Sequence, residues 1–298
     1  MFSYAHSILH VMLTPQEEVP SLAKALGLNV PLYLKREDLH PYGSHKGRSI
    51  PYMIEQFAKG GETRFAISSS GNAAIAALMY VNEYNDRFTE SPLSLQIFVG
   101  ENIESSKYQT LKQLKRSNDS RISITQTDRP KQSVHKLNKS GEAKALRQSD
   151  DPLALVGYQS LVDELSGIEN IGAIFVPTSS GTTAEALASK FPVHTVQTSA
   201  CHPIAELFDA RSRTIEVEAS IADAIVDRVA IRKQELAPKL AGGWIVSDQE
   251  IQIAITLVKK ELNLEISPNA ALSVAGLMRA VKSGWKGGDP IVCLITGK

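Results

Sequence analysis

Cysteine is scarce in this sequence, and the two that occur, Cys201 and Cys293, lie far apart in a chain of 298 residues. Two cysteines cannot build a disulfide framework, and they lack the Cys-x-x-Cys spacing that zinc sites use. The chain must therefore depend on a buried apolar core, and its length is enough for one large or two medium domains. The scarcity of cysteine also favours a reducing compartment.

Net charge is absent too, because 32 Lys and Arg residues balance 32 Asp and Glu residues. A protein with no overall positive field is not expected to be a dedicated binder of nucleic acid or of anionic membranes. No apolar run approaches the roughly 20 residues that span a bilayer, and Met1–Leu13 lacks a basic leader with a continuous apolar stretch. We therefore expect a cytoplasmic protein with neither nucleic-acid nor membrane partners.

One segment is locally basic. Residues 104–147 contain 11 Lys and Arg residues against 4 acids, with Tyr108 as the single aromatic residue. Grooves that bind nucleic acid interleave basic residues with aromatic side chains on which bases stack. Because this segment lacks that mixture, we interpret it as a solvated surface.

Short β-branched runs alternate along the chain with alanine-rich or amphipathic stretches. This alternation is typical of βαβ units, so it predicts an α/β fold with a largely parallel sheet. The predicted strands are Leu32–Lys35, Arg64–Ile67, Leu95–Val99, Ile122–Gln126, Ala173–Val176, Thr195–Gln197 and Ile291–Ile295. The predicted helices are Asn72–Asn82, Ser105–Lys115, Val156–Leu165, Thr183–Ser189, Asp248–Leu262 and Asn269–Lys282.

A lysine follows a Gly-Ser pair within residues 41–48, at a point where a helix can begin. If Lys46 is partly desolvated near a helix N-terminus, its amine binds a proton less tightly and becomes a usable nucleophile. A solvated lysine at a helix end has the same appearance in a sequence. The residue alone therefore leaves both interpretations open.

Two further loops place small polar residues between a predicted strand and a predicted helix. Residues 68–72 read Ser-Ser-Ser-Gly-Asn, and residues 176–183 read Val-Pro-Thr-Ser-Ser-Gly-Thr-Thr. Hydroxyl groups and backbone N–H groups at a helix start can hold a carboxylate or a phosphate, although a plain helix cap needs only one serine. The second loop lacks the Walker lysine and the dinucleotide glycine spacing, so a monophosphate fits it better than a nucleoside triphosphate or NAD.

These loops, taken in order, resemble those of the fold-type II pyridoxal-phosphate enzymes, the tryptophan synthase β superfamily, which includes threonine synthase and the threonine and serine dehydratases. The resemblance covers almost the whole chain. The matching stretches are Thr14-Pro15, Lys35-Arg36-Glu37-Asp38, residues 43–48, residues 69–72, residues 157–160, residues 176–183, residues 267–271 and Thr296-Gly297. It implies parallel-rich twisted sheets flanked by helices. It also implies a smaller domain, 45–148, inserted between 1–44 and 149–298 of a larger cofactor-binding domain, with the active site in the cleft between them.

The resemblance also implies roles for individual residues. Lys46 is similar to the lysine that forms the Schiff base with pyridoxal phosphate and moves the substrate α-proton. The implied binding groups are Asn72 for the ring hydroxyl, Ser69, Ser70, Gly71 and Asn72 for the substrate carboxylate, Ser179, Ser180, Gly181, Thr182 and Thr183 for the cofactor phosphate, and Thr296 for the pyridine nitrogen. The phosphate loop departs from the family pattern, which has more glycine there.

The resemblance implies an enzyme that acts on a small amino acid. A neutral hydroxyl such as that of Thr296 does not keep the pyridine nitrogen protonated, which favours elimination. We expect a lyase that eliminates water from serine or threonine, with threonine synthase acting on O-phosphohomoserine as the alternative. Threonine synthases usually carry Asn-Pro where this chain has Asp151-Pro152, and an acid there would repel a substrate phosphate. A silent member of the family that only binds its ligand is a third interpretation.

Other groupings of chemically active residues are weaker. His6 and His10 have helical i, i+4 spacing but no third ligand nearby, so no metal site is predicted. Cys201 and His202 are adjacent, unlike a Cys–His nucleophile pair, and Asp223 and Asp227 are expected to face solvent. A homodimer is compatible with the sequence, which does not decide the oligomeric state.

Overall fold

The computed structural model describes residues 13–69, 71–101, 103, 105–117, 119–208, 219–287 and 290–298. Among these, residues 41–157 form one compact unit, here called the inserted unit. Residues 13–40 and 158–298 form a second, here called the split unit. The predicted domain borders at 45 and 148 stay a prediction. None of the helices in the described ranges has both the length and the apolar character that crossing a bilayer requires.

The described residues form ten β-strands and eleven α-helices. The strands are β1 Gln16–Glu18, β2 Leu32–Arg36, β3 Arg64–Ser68, β4 Ser94–Gly100, β5 Ile122–Thr127, β6 Lys144–Ala145, β7 Ala173–Pro177, β8 Val193–Thr198, β9 Gly242–Val246 and β10 Ile291–Ile295. The helices are α1 Pro20–Ala25, α2 Lys46–Lys59, α3 Asn72–Arg87, α4 Ser105–Leu114, α5 Pro130–Ser140, α6 Pro152–Gly157, α7 Gln159–Leu165, α8 Thr182–Ala188, α9 Lys233–Leu236, α10 Asp248–Leu262 and α11 Pro268–Lys282.

The inserted unit is built on a four-stranded parallel sheet in the order β5-β4-β3-β6. Alanine favours helix formation, and the alanine-rich α3 buries Ala74, Ala77, Leu78 and Val81 at intervals of three and four residues. These side chains share one core cluster with apolar side chains of the strands, such as Ile97. The packing fixes the end of β3 and the first turns of α3, which flank predicted site residues.

The split unit is built on a six-stranded sheet in the order β1-β2-β10-β7-β8-β9. Only the edge strand β1 is antiparallel to its neighbour. All five residues of β10 are buried, as expected for a parallel strand covered on both faces. Helix α11 packs closely on the sheet because Gly276 has no side chain: a Cβ there would lie 2.3 Å from Val196 Cγ2.

The prediction of an α/β class is confirmed, and all seven predicted strands are present. The predicted helix Val156–Leu165 is wrong in its bounds, because the structure has the two short helices α6 and α7 there. Strand β9 was missed because it begins with Gly242 and Gly243, which sequence patterns read as a turn. A Cβ at Gly242 would lie 2.5 Å from His194 Nδ1, so tertiary packing requires glycine at that position.

The basic segment of the inserted unit lies at its surface. Arg116 and Arg121 are 49% and 43% exposed in their side chains, and they pair with Asp86 and Asp119 respectively. Lys112 lies over the ring of Tyr108 at 4.2 Å from its centroid. These contacts are those of a solvated surface with local charge pairing.

An aromatic cage surrounds His194 on β8. Its ring stacks on Phe175 with centroids 4.9 Å apart, and it lies near Trp244 and Trp285. The indole N–H of Trp244 donates to His194 Nδ1 at 3.3 Å. Burial among these rings lowers the pKa of His194 to about 4.

This cage predicts acid sensitivity. An unfolded histidine has a pKa of about 6.5, so protons bind the unfolded chain more tightly than the native one as the pH falls from about 6.5 to 4. Above that range His194 is neutral in both states, and its contribution to the free energy of unfolding is fully present. At pH 5 we expect the free energy of unfolding to be about 2 kcal/mol lower for this reason.

The measurement is urea unfolding at pH 7.5 and pH 5, followed by circular dichroism. In a His194→Gln variant residue 194 does not titrate. Its free energy of unfolding should therefore fall by about 2 kcal/mol less between pH 7.5 and pH 5 than that of the unmodified protein. Equal losses in both proteins would show that His194 does not control the acid sensitivity.

Candidate active site

Lys46 is the first residue of α2, a helix that was not among the predicted ones, and it begins where the Gly-Ser pair allows a helix to start. Its backbone N–H donates to Ser44 Oγ at 3.2 Å, and Ser44 is fully buried. Gly43 supplies the left-handed conformation, φ +79°, that the preceding turn needs. Lys46 is half-buried, and its side chain starts from the first turn of a long helix.

The loop between β3 and α3 carries the second set of predicted residues. The backbone N–H of Gly71 donates to Ser69 Oγ at 3.3 Å, and Asn72 begins α3. Both Ser69 and Asn72 are half-buried. The first N–H groups of a helix have no partner within it, so this loop offers donors where α3 begins. Ser70 lies outside the described residues.

The loop between β7 and α8 turns sharply at Gly181. This residue has φ +97°, and a Cβ there would lie 2.8 Å from Leu236 Cδ2, so conformation and space both require glycine. Thr182 and Thr183 follow as the first two residues of α8, and both are buried. The hydroxyl oxygens of Ser180 and Thr182 are 3.1 Å apart. The loop therefore gathers hydroxyl groups and N–H groups at one point.

Ser179 has a structural contact that sequence reasoning missed. Its Oγ accepts hydrogen bonds from the backbone N–H groups of Val226 and Asp227, each at 3.2 Å. A hydroxyl that accepts two hydrogen bonds still has one hydrogen to donate. Ser179 thus joins the β7–α8 loop to a distant segment of the split unit.

That segment is also held by α11. Asn269 donates from Nδ2 to Asp223 Oδ1 at 3.0 Å and accepts from the backbone N–H of Ala224 at 3.0 Å. The expectation that Asp223 faces solvent is confirmed, whereas the same expectation for Asp227 is wrong in part, since Asp227 is half-buried. The sequence signal for Asn269 was its place in the matching stretch 267–271.

Thr296 lies just past the end of β10 and is buried. The hydroxyl of Ser267 donates to the carbonyl of the next residue, Gly297, at 3.1 Å. Ser267 Oγ also accepts from the backbone N–H of Ala270 and caps α11. The backbone at Thr296 therefore lies between strand β10 and the hydrogen bond that Gly297 accepts from Ser267.

Comparison with known proteins decides the family. Residues 8–297 match the family described as "Pyridoxal-phosphate dependent enzyme". The chain belongs to this family. The predicted cofactor class and the predicted enzyme class are thereby confirmed.

Individual relatives are distant. The chain is 23% identical over 310 residues to the threonine synthase of Methanocaldococcus jannaschii, covering 95% of this chain and 74% of that protein. It is 29% identical over 159 residues to the human serine dehydratase-like protein, covering 53% and 44%. The structure of maize serine racemase superposes with a TM-score of 0.80 at 18% identity, covering 97% of this chain and 88% of that one.

The described residues fit the cofactor of this family. Pyridoxal phosphate carries a monophosphate and an aldehyde. The hydroxyls and N–H groups of the β7–α8 loop are suited to hydrogen-bond a phosphate. The primary amine of Lys46 is suited to react with an aldehyde. Gly181 allows these donors to lie on one tight turn. A side chain at this position would overlap Leu236 and widen the turn.

Charge next to this turn is balanced by an ion-pair cluster that the sequence did not reveal. Glu185, in the first turn of α8, is 8% exposed and accepts from Arg232 at 3.0 Å and from Lys239 at 3.0 Å. A buried carboxylate without partners would oppose an anion at the start of α8. The two cations offset that charge.

The Lys-Arg-Glu-Asp stretch takes part in a buried network of hydrogen bonds and ion pairs. Lys35 is fully buried; its Nζ contacts Glu164 and donates to the carbonyl of Thr14 at 2.8 Å. The Thr14 hydroxyl in turn donates to Glu37 at 2.5 Å. This buried network ties the first described residues of the split unit to β2 and α7.

Two of the weaker candidates, Cys201 and His202, fall within the described residues. His6 and His10 lie outside the described residues. Burial raises the pKa of the Cys201 thiol, which makes it a poor nucleophile, and His202 Nδ1 lies 3.0 Å from the Thr198 carbonyl, to which only an N–H can donate. The described ranges contain no group of three or more His, Cys, Asp or Glu residues placed to bind a metal.

Proposed function

We propose that this protein is a pyridoxal-phosphate-dependent lyase that eliminates water from serine or threonine. The released enamine tautomerises to an imine, and its hydrolysis by one water gives ammonia and a 2-oxo acid. The observation that carries the proposal is the buried residue Thr296, which has a neutral hydroxyl and directly follows β10, in a chain of this family. The similarity to the human serine dehydratase-like protein supports it. The scarcity of cysteine supports a reducing compartment, and we include a cytoplasmic location in the proposal.

Two groups of residues would hold the cofactor. The Lys46 amine would attach it covalently, and Asn72 would hydrogen-bond its ring hydroxyl. Its phosphate would bind the hydroxyls and backbone N–H groups of residues 179–183. When bound, pyridoxal phosphate supplies an electron sink for the charge that develops at the substrate α-carbon.

The substrate carboxylate would bind the loop that begins α3. Ser69, Ser70 and Asn72 offer polar side chains there, and Gly71 lets a ligand approach the backbone. This contact would hold the amino acid in one orientation. The amine of Lys46, once released from the cofactor, would remove the α-proton.

Thr296 would then decide between reaction types. A hydroxyl does not hold a proton on the pyridine nitrogen as a carboxylate does. The cofactor ring would therefore withdraw electrons from the substrate α-carbon less strongly. Prompt expulsion of a β-hydroxyl suits that condition better than transamination. Serine and threonine both carry such a leaving group.

Threonine synthase is the second candidate, because the archaeal threonine synthase matches 95% of this chain. The acid at position 151 was the argument against it. In the structure Asp151 Oδ1 accepts from the backbone N–H of Leu153 at 2.9 Å and caps the start of α6. Asparagine caps a helix equally well, so the position has a structural role in addition to its charge.

One assay separates the two reactions. Serine, threonine and O-phosphohomoserine are offered to the same preparation, and 2-oxo acid, threonine and inorganic phosphate are measured. We expect 2-oxo acid from serine or threonine. Phosphate release with threonine formation, and no 2-oxo acid, would replace the proposed reaction by threonine synthesis.

A further inference from the structure

Helix α6 packs unusually closely on α2 in the inserted unit. A Cβ at Gly157 would lie 2.7 Å from Ser49 Cα and 3.0 Å from the carbonyl oxygen of Arg48. Both neighbours are backbone atoms, so no rotamer change could relieve the overlap. Glycine at 157 therefore sets how near α6 comes to the first turns of α2.

Ser49 lies three residues after Lys46 on the same helix, and it is fully buried. Residues three apart are neighbours on a helix surface. The Ser49 hydroxyl accepts a hydrogen bond from Nε2 of Gln148, which is buried as well. Gln148 and Gly157, the two ends of the segment 148–157, therefore both contact Ser49.

The segment is itself anchored. Asp151 caps α6 through the N–H of Leu153, and the N–H of Asp151 donates to the Arg147 carbonyl at 3.2 Å. Just before it, the N–H of Leu146 donates to the Ala66 carbonyl on β3 at 2.9 Å. Strand β3 leads directly into the 69–72 loop. The chain from β3 to Ser49 is therefore a continuous series of contacts.

We propose that residues 146–157 act as a brace that positions the Lys46 amine relative to Ser69 and Asn72, with Gly157 and Ser49 as positioning residues. The proposal rests on the role proposed above for Lys46. It explains why a glycine ends α6 against α2. Its consequence is that a change at Gly157 alters the reaction without touching cofactor or substrate.

The first test is Gly157→Ala, with Gly100→Ala as its control. A Cβ at Gly100 would have no described atom within 4 Å, and the backbone there is not left-handed, so alanine fits. A shift of about 1 Å at a reacting group costs roughly 100-fold in rate, so we expect kcat to fall by about that factor while KM changes little. We also expect the midpoint of the pH-dependent absorbance change of the bound cofactor to shift.

The second test is Ser49→Ala, which removes the hydrogen bond from Gln148 without adding volume. Ser140→Ala, at an exposed helix end, is its control. We expect a roughly tenfold loss in kcat, equivalent to about 1.4 kcal/mol, and a shift of the pH midpoint in the same direction. This variant keeps the proposal testable if Gly157→Ala does not fold.

The outcomes are distinct. If either variant folds and loses melting temperature but keeps the wild-type pH midpoint and kcat, the brace is merely structural and the inference is overturned. Borohydride reduction followed by peptide mass spectrometry of the wild type tests Lys46 separately. Attachment at another lysine overturns the role of Lys46 and the brace together, whereas attachment at Lys46 with unshifted midpoints overturns the brace alone.

Discussion

Replacing Lys46 by alanine is expected to abolish covalent attachment of pyridoxal phosphate and to lower turnover by at least about 10⁴-fold, the upper range for a lost acid–base group. The residue would carry both the cofactor linkage and the proton transfer, so neither function survives its loss. The measurement is the absorbance of the purified protein before and after borohydride, with turnover of serine and threonine.

Two variants make this result specific. Lys136→Ala removes an exposed lysine of α5 in the same unit and should leave absorbance and turnover unchanged. Lys46→Arg keeps a positive charge but cannot form the linkage, so it should be as inactive as the alanine variant. Borohydride-resistant cofactor on Lys46→Ala would assign the attachment to another lysine.

A negative charge in the β7–α8 loop should expel the cofactor. Ser180 is half-buried, and its Oγ lies 3.1 Å from that of Thr182. A carboxylate about 4 Å from a phosphate charge is opposed by about 4 kcal/mol near a protein surface, so Ser180→Asp should raise the cofactor Kd by about 10³-fold. The measurement is an absorbance titration of the cofactor-free protein.

The control for this result is Ser180→Asn, which has nearly the same shape as the aspartate variant and no charge. It should weaken binding by far less. High salt should recover part of the affinity of the aspartate variant, because ions screen a charge at a partly exposed site. Equal Kd values for the two variants would place the phosphate away from Ser180.

Some elements could be predicted to the residue because local signals determine them. Helix α10 begins after a capping box in which Ser247 and Glu250 satisfy each other's backbone groups, and it spans Asp248–Leu262 as predicted. Strand β10 was predicted as Ile291–Ile295, a short apolar run that is buried throughout. In both cases the sequence near the element fixes its ends.

Other features depend on residues that are distant in the chain. Helix α2 contains Gly47 and Pro51, which lower helix propensity, and its packing against α6 compensates. The two hydrogen bonds that Ser179 accepts come from residues 47 and 48 positions later. A sequence alone shows hydroxyl groups in that loop, but it does not show which of them already hold another segment.

Both tryptophans of the chain, Trp244 and Trp285, belong to the aromatic cage around His194. Residues 41–157 contain none, whereas Tyr42, Tyr80 and Tyr84 are buried there. Tryptophan emission therefore reports the split unit alone, and circular dichroism reports both units. If the fluorescence and the circular dichroism change at the same urea concentration, the two units unfold cooperatively. If the two signals change at different urea concentrations, the chain unfolds in two stages. The tryptophans are therefore a built-in probe of whether the units unfold together.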